Sequence, residues 1–404
     1  MQTPLRGMID LLSERSGVPF EVVLPDASRL SAGEGAPRFT VVFRTEASML
    51  QTFARGHMGL LEAYFDQQVD VEGDLNAAFA AAMNSGFDRQ FHAFSTMENR
   101  LHELRFSNRS IEQARTNARA HYGLPEAFYR LWLDEPLKMY TCGYWPEGTQ
   151  TLEDAQRNKI DHVCRKLRLA RGERFIDIGC GFGGFMFRAW ETIGALGTGL
   201  NTTTEQVRWL RDEIGRRGLA AQLSVREADF RETDGHYDKL VSIGVLEHAG
   251  RDQLADVIRA HASYLKPGGL GMLHFIGHVG HYETELFIRK HVFPGGWIPA
   301  LADVIVELER CGLEVVDIEN LRRHYAPTLD AWSERFERRW DDIRALDPQR
   351  FDERFRRIWR SYLVGCAEMF RSPTGYTHLF QVVFSKGNVT RDNYPMSRAH
   401  LYAP

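Results

Sequence analysis

Cysteine is scarce and unpatterned in this chain: Cys142, Cys164, Cys180, Cys311 and Cys366 are the only five, odd in number and without a C-x-x-C pair. A disulfide frame or a zinc ribbon is therefore not expected, and the cysteines read as reduced thiols. No run of about 18 apolar residues occurs, so no membrane-spanning helix is predicted. The opening MQTPLRGMIDLLSERSG interrupts its apolar residues with Arg6, Asp10 and Glu14. It lacks the apolar core of a secretory signal, and the expectation is a cytoplasmic protein. Neither charge sign is in excess: 50 Lys and Arg stand against 54 Asp and Glu, a formal net charge of -4. Nothing then draws the molecule as a whole to nucleic acid, which is not an expected partner, or to an anionic bilayer, so any such contact would need a local patch.

What is present is ordinary globular composition, 43% hydrophobic and 26% charged over 404 residues, enough chain for two domains that each bury a core. From 151 to 387 strand-like and helix-like segments alternate, the pattern of a parallel sheet covered by helices. RFIDIGC, ALGTGLN, AAQLSVREAD, YDKLVSIGV and GGLGMLHFIG read as five strands; GLEVVDIENL and HLFQVVFSKG complete seven. The fold class expected is α/β, a seven-stranded Rossmann-like sheet with a smaller N-terminal α+β domain. In the latter FTVVFRT is a strand, amphipathic helices follow, and DVEGD is turn-like. The expected division is 1–106 for that domain, 107–150 for a helical connector covering the site, and 151–404 for the catalytic sheet.

Near the C-terminus Trp332, Phe336 and Trp340, then Phe351, Phe355 and Trp359, repeat at i, i+4, i+8, an aromatic stripe on each of two helices. Nine arginines and seven acidic residues lie between Ala331 and Arg360. A salt-laced solvated face is the simpler reading, and a platform for lipid phosphates the sharper one.

Asp177-x-Gly179-x-Gly181-x-Gly183 follows an apolar strand and precedes a helix, where missing side chains let a ligand approach the backbone. A dinucleotide would fit such a loop, but two acids favour S-adenosylmethionine. Asp177 inside the motif suits a cationic ammonium and would repel a pyrophosphate. Asp229, closing the third strand, can accept a hydrogen bond from an adenine amino group. The ribose-binding acid usual at the end of the second strand is missing: Asn201 stands there, with Gln206 five residues on. Tyr140 and Phe230, flanking these segments, are counted with the cofactor-binding residues.

FIDIGCGFGGF, YTCGYW, VSIGVLEHAG, LHFIG, HVFPGGWIP, HYAPTLDAW and YLVGCAEMFR together resemble the cyclopropane fatty acid synthase family of class I methyltransferases, over nearly the whole chain. GLLEAYFDQQVDVEGDL resembles the lipid-handling N-terminal module of its long bacterial members, which implies an unsaturated phospholipid as substrate, peripheral contact with the inner face of the membrane, and a homodimer. The resemblance further implies a bound bicarbonate acting as general base, held by Cys142, Glu247, His274, the backbone of Ile276, and Tyr325. Departures from the pattern are Pro299-Ala300 in place of Pro-Ser, Asn201 in place of threonine, and the length of RSPTGYTH.

An isolated alkene is a weak nucleophile, so positioning against the sulfonium methyl would be the main catalytic device. The carbocation that forms calls for a dry channel with aromatic faces; Phe182, Tyr144 and Phe275 are candidates, with core packing their simpler use. Three other outcomes stay open: a lipid C-methyltransferase leaving a methyl or methylene branch, a small-molecule methyltransferase of secondary metabolism, and a non-enzymatic lipid carrier.

Overall fold

A computed structural model describes residues 2–87, 92–232 and 235–402. By its internal contacts the chain forms two units. One is Met1–Arg105 with Glu285–Val292 and Leu329–Gly375; the other is Phe106–Thr284 with Phe293–Thr328 and Tyr376–Pro404.

The first unit holds a four-stranded sheet of β1 (Phe20–Val23), β2 (Arg29–Ala32), β3 (Phe39–Phe43) and β4 (Val69–Gly73) in the order β2-β1-β3-β4. β3 is the FTVVF segment, and β4 with its following Asp74 is DVEGD. Thr45 and Asp74 start the helices Glu46–Phe65 and Leu75–Ser85 by accepting the amides of Ser48 and Ala77, which satisfies N–H groups a helix start leaves orphaned. Each aromatic stripe is broken. Trp332 and Phe336 lie on the helix Arg322–Arg338, whereas Trp340 opens a new one, Trp340–Leu346. Phe351 precedes Asp352, which caps the helix Glu353–Arg371. Trp332, Phe336, Phe351 and Trp359 are nonetheless buried. Several arginines are occupied inside the unit. Arg356 and Arg360 meet Glu337 at 2.7 and 3.0 Å, while Arg357 donates to the carbonyls of Tyr64 and Val69 and pairs with Asp70.

The second unit is built on seven strands: β5 (Arg174–Ile178), β6 (Leu196–Asn201), β7 (Leu223–Glu227), β8 (Tyr237–Ile243), β9 (Leu265–His278), β10 (Leu313–Asn320) and β11 (Thr377–Lys386), ordered β10-β11-β9-β8-β5-β6-β7. They are the seven read from the sequence. β5 to β9 pair in parallel, and β11 runs antiparallel between β9 and β10. Because side chains alternate across a strand, neighbours go to opposite faces: Phe175, Val241, Met272 and Val383 join one core, and Ile176, Leu240, Leu273 and Val382 the other. A sheet covered on both faces explains why these strands are continuously apolar. Truncating one such residue, Phe175→Ala for instance, costs about 3–5 kcal/mol. β5 and β8 run at their carboxyl ends into the segments that carry Gly179 and Glu247, and β6 ends on Asn201, where open α/β sheets place their ligands.

No helix among the described residues is long and apolar enough to cross a membrane.

Candidate functional site

A cavity at those strand ends is lined by Asp177 of β5 with Gly179 and Gly181 after it, Asn201 at the end of β6 with Gln206 beyond it, Asp229 and Phe230 after β7, and Tyr140 from the loop before the helix Leu152–Leu167. Eight of the nine residues assigned to cofactor binding are thus in one place. The ninth, Gly183, is not among the lining residues; it starts the helix Gly184–Ile193 in the left-handed region. Gly179 has φ +75°, and a Cβ there would lie 2.4 Å from Val245 Cγ2, so a side chain would strain the backbone and force Val245 to shift. A Cβ on Gly181 would meet nothing within 4 Å: its bare backbone faces open space, as a ligand cradle requires.

Asp177 is buried, and burial pushes its carboxyl up to about 7 against the opposing charge of Lys159. A carboxylate held at such a cost is suited to a cationic group brought by a ligand. Asp229 is gripped by Arg231 at 2.7 Å to one oxygen and 2.8 Å to the other, which fixes its orientation and leaves lone pairs for a donor. Asn201 Nδ2 donates to Gly181 O at 3.3 Å and Gln206 Oε1 at 2.9 Å, and Oδ1 accepts from the Thr203 amide. Both its donors are spent on holding the glycine loop to β6, so ribose donation falls to the Gln206 amide nitrogen. Tyr122, Tyr129, Phe182 and His248 complete an aromatic wall, with Tyr122 Oη 2.8 Å from His248 Nε2 and His121 Nε2 3.2 Å from Tyr140 Oη.

The other five assigned residues are not among the cavity's lining. Glu247 Oε1 accepts the Ile276 amide at 2.7 Å, so this backbone nitrogen already has a partner. Glu247 Oε2 is buried with none among the described residues. Burial raises the Glu247 carboxyl to about 7, opposed by the Ile276 N–H. Two positions before Ile276 in β9, buried His274 receives Gln381 Nε2 on Nδ1 at 3.0 Å. With the Gln381 amide so assigned, the ring proton sits on Nε2, a second buried atom without a partner. Burial holds His274 far below its ordinary value, hence neutral.

Cys142 is fully buried; its thiol is pushed up to about 12 by burial, against the influence of Lys159 and Thr328. It is a neutral S–H, not a nucleophile. Its loop is held by Thr328, whose Oγ1 accepts from Gly143 N at 3.0 Å and Trp145 Nε1 at 2.9 Å and donates to His324 O. Tyr325, buried, lies one turn before Thr328 in the same helix. Of the proposed aromatic faces, Phe182 lines the cavity, while Tyr144 stacks on His162 at 4.4 Å and Phe275 packs on Phe380.

Sequence reasoning missed the residues behind these. On the helix Leu152–Leu167 the polar Gln156, Lys159, His162 and Lys166 are buried along with Ala155, Ile160 and Val163. Gln156 donates to the carbonyls of Met139 and Thr141, and Lys159 to Thr141 Oγ1, which clamps the loop carrying Tyr140 and Cys142. Charged residues in phase with an apolar stripe were the signal.

The family model described as mycolic acid cyclopropane synthetase matches residues 109–382, and a domain of unknown function matches 8–90. A probable fatty acid methyltransferase of Pseudomonas putida is 34% identical over 398 residues, 95% of this chain and 96% of its own. The cyclopropane-fatty-acyl-phospholipid synthase of Escherichia coli is 31% identical, covering 82% of this chain and 84% of its own. The crystal structure of mycolic acid cyclopropane synthase CmaA1 with SAH and CTAB is similar at TM-score 0.62 and 31% identity, covering 67% of this chain and 98% of that one.

Proposed function

The chain belongs to the mycolic acid cyclopropane synthetase family and is an S-adenosylmethionine-dependent methyltransferase of the cyclopropane synthase type that acts on lipids; from that premise we propose that it converts the cis double bond of an unsaturated phospholipid acyl chain into a cyclopropane ring. The cofactor supplies the activated methyl group. Asp177 receives its ammonium end, Asp229 and Gln206 its adenosine, and the aromatic wall keeps water from the cation that forms on the acyl chain. Positioning carries most of the rate, since a weak nucleophile reacts only when held in line.

The observation that carries the ring-forming step is the pair of buried, unpartnered atoms, Glu247 Oε2 and His274 Nε2. One is an acceptor and the other a donor, a matched pair for a small anion bearing one hydroxyl. Bicarbonate held there with Cys142 and Tyr325 would supply the mild base for the methyl proton. Glu247 orients the hydroxyl, neutral His274 donates, and the un-ionised thiol of Cys142 adds no competing charge. The test is purified protein with labelled cofactor and monounsaturated phospholipid vesicles, with and without bicarbonate. Upfield proton resonances of a cyclopropane methylene, lost when bicarbonate is stripped, are expected; turnover indifferent to bicarbonate would remove this step.

A second reading is favoured by the Pseudomonas putida relative, named a probable fatty acid methyltransferase: the same cation could yield a branched chain. A methyl or methylene branch that keeps an olefin, formed when the cation loses a different proton, would select it.

For bilayer contact at the cytoplasmic face, the proposal turns to the helix His92–Phe106. Its Met97, Leu101 and Leu104 are 59%, 59% and 70% exposed at i, i+4 and i+7, an apolar ridge on one face. Replacing Met97 and Leu101 by aspartate should reduce co-sedimentation with phospholipid vesicles at least several-fold. A homodimer is part of the same proposal, to be read by sedimentation velocity.

A further inference from the structure

Lys159 is fully buried, and an ammonium taken out of water costs several kcal/mol unless charge around it compensates. Nζ donates to Thr141 Oγ1 at 2.7 Å, inside the loop that presents Tyr140 to the cofactor cavity. Lys159 and Asp134, the latter from the turn after the helix Glu126–Arg130, hold the same loop through Thr141 Oγ1 and the Met139 amide, and Asp177 from β5 lines the cavity together with Met139 and Thr141. Cys142 from that loop and His274 from β9 also feel the charge of Lys159. Lys166, on its own helix, also acts on His274. Asp134 is itself fully buried; Oδ1 accepts the Met139 amide at 2.8 Å, and Oδ2 has no partner among the described residues.

The cluster is unbalanced. His274 and Cys142 are neutral, which leaves two buried carboxylates against one ammonium, and the half-buried Glu153 adds negative charge beside Asp134. In a buried place an excess negative charge is relieved by holding a proton. Burial raises Asp177 and Asp134 and lowers Lys159, the pattern such a shared proton produces.

We propose that Lys159 is a positioning residue that divides its charge between Asp134 and Asp177, so that binding the cofactor's cationic amino group at Asp177 releases the proton the cluster holds. The inference rests on the methyltransferase reading and adds to it a proton count and an owner for the pH dependence of cofactor binding. The proton goes to solvent; no bond other than O–H or N–H breaks.

Titration calorimetry with S-adenosylhomocysteine, in buffers of different ionisation enthalpy, measures that count directly and needs no turnover. The native protein should release up to about one proton near pH 7 and progressively less as the pH rises and the cluster is already deprotonated. Lys159→Met leaves both carboxylates uncompensated. Its release should move to higher pH, with affinity near pH 7 down at least tenfold and recovering as pH is raised. Asp134→Asn removes the excess charge while keeping an acceptor for Met139. Its release should move to lower pH, with affinity near pH 7 kept. Opposite displacements support the proposal, and the asparagine variant decides alone should the methionine variant fail to fold. An equal proton count in all three proteins, or an affinity loss in Lys159→Met that is the same at every pH, overturns it. Failure of the native protein to bind the ligand at all would instead overturn the methyltransferase reading beneath it.

Discussion

Glu247 spends one oxygen on the Ile276 amide and keeps the other in a buried, unpartnered position, so glutamine in its place should leave the fold intact and strip the acceptor from the site. Turnover of Glu247→Gln should fall about 10²-fold or more, with S-adenosylhomocysteine affinity within a few-fold of native. Equal losses in kinetics and calorimetry would refute the role. Since burial raises this carboxyl to about 7 and only its ionised form accepts a proton, native activity should climb with pH through that value, and the limb should vanish in the variant. Asn201 makes a complementary case. Aspartate there would restore the acid common beside ribose, yet it would turn both donors into acceptors facing Gly181 O and Gln206 Oε1. Asn201→Asp should therefore weaken S-adenosylhomocysteine binding by about tenfold, a cost of the order of one lost buried hydrogen bond. The residues that line the cavity were legible because they sit in short local motifs. Gln381, Thr328 and Lys159 were not, because what makes each matter is a partner distant in the chain: His274, Gly143 and Thr141.

At the level of elements, the helix Leu152–Leu167 begins with a Thr151 cap and acidic Glu153 and Asp154, and ends with Arg165 and Lys166, charges that suit its dipole. Its other end of business is the C-terminal segment. Arg165 Nε donates to Leu401 O at 2.9 Å, and His162 meets Glu319 at 2.7 Å while Lys166 meets it at 2.6 Å. Burial by itself would raise Glu319, but His162 and Lys166 bring it down to about 2. A carboxyl lower in the folded than in the unfolded chain contributes stability that is full above about pH 4.5 and is lost as pH falls toward 2. Glu319→Gln should cost up to about 3 kcal/mol at neutral pH by leaving buried Lys166 with only Asp317, at 3.9 Å, and its melting temperature should depend less on pH across that interval. The seven strands were readable from apolar runs bounded by glycine. The two aromatic stripes were readable as buried, but not as interrupted helices, because a spacing of four holds across a break when the next helix restarts in phase.

Across the molecule, the chain returns twice to the unit that its first hundred residues begin. Phe65 packs on Phe287 at 5.6 Å, Asn76 binds Glu368, Phe79 lies against Gly365, and Arg357 closes on the carbonyls of Tyr64 and Val69. Periodicity reports which face of an element is buried but not which distant element covers it, so this membership was not visible in the sequence. A fragment lacking residues 1–106 should accordingly aggregate or melt well below the full chain, because Phe287 would lose Phe65 and the helix around Gly365 would lose Phe79. Point changes on the exposed ridge of Met97, Leu101 and Leu104 are the cleaner probe of lipid contact. A truncated fragment that melts like the full chain would contradict the shared core.

That return has a temporal side. As the polypeptide leaves the ribosome, the opening sheet emerges first yet meets its last packing partners only once residue 375 has been made. At roughly 5–20 residues per second, that sheet waits, with apolar surface uncovered, while the segments between it and Leu329–Gly375 are made. Nascent chains stalled before Leu329 should bind holdase chaperones, and release should follow when synthesis passes Gly375.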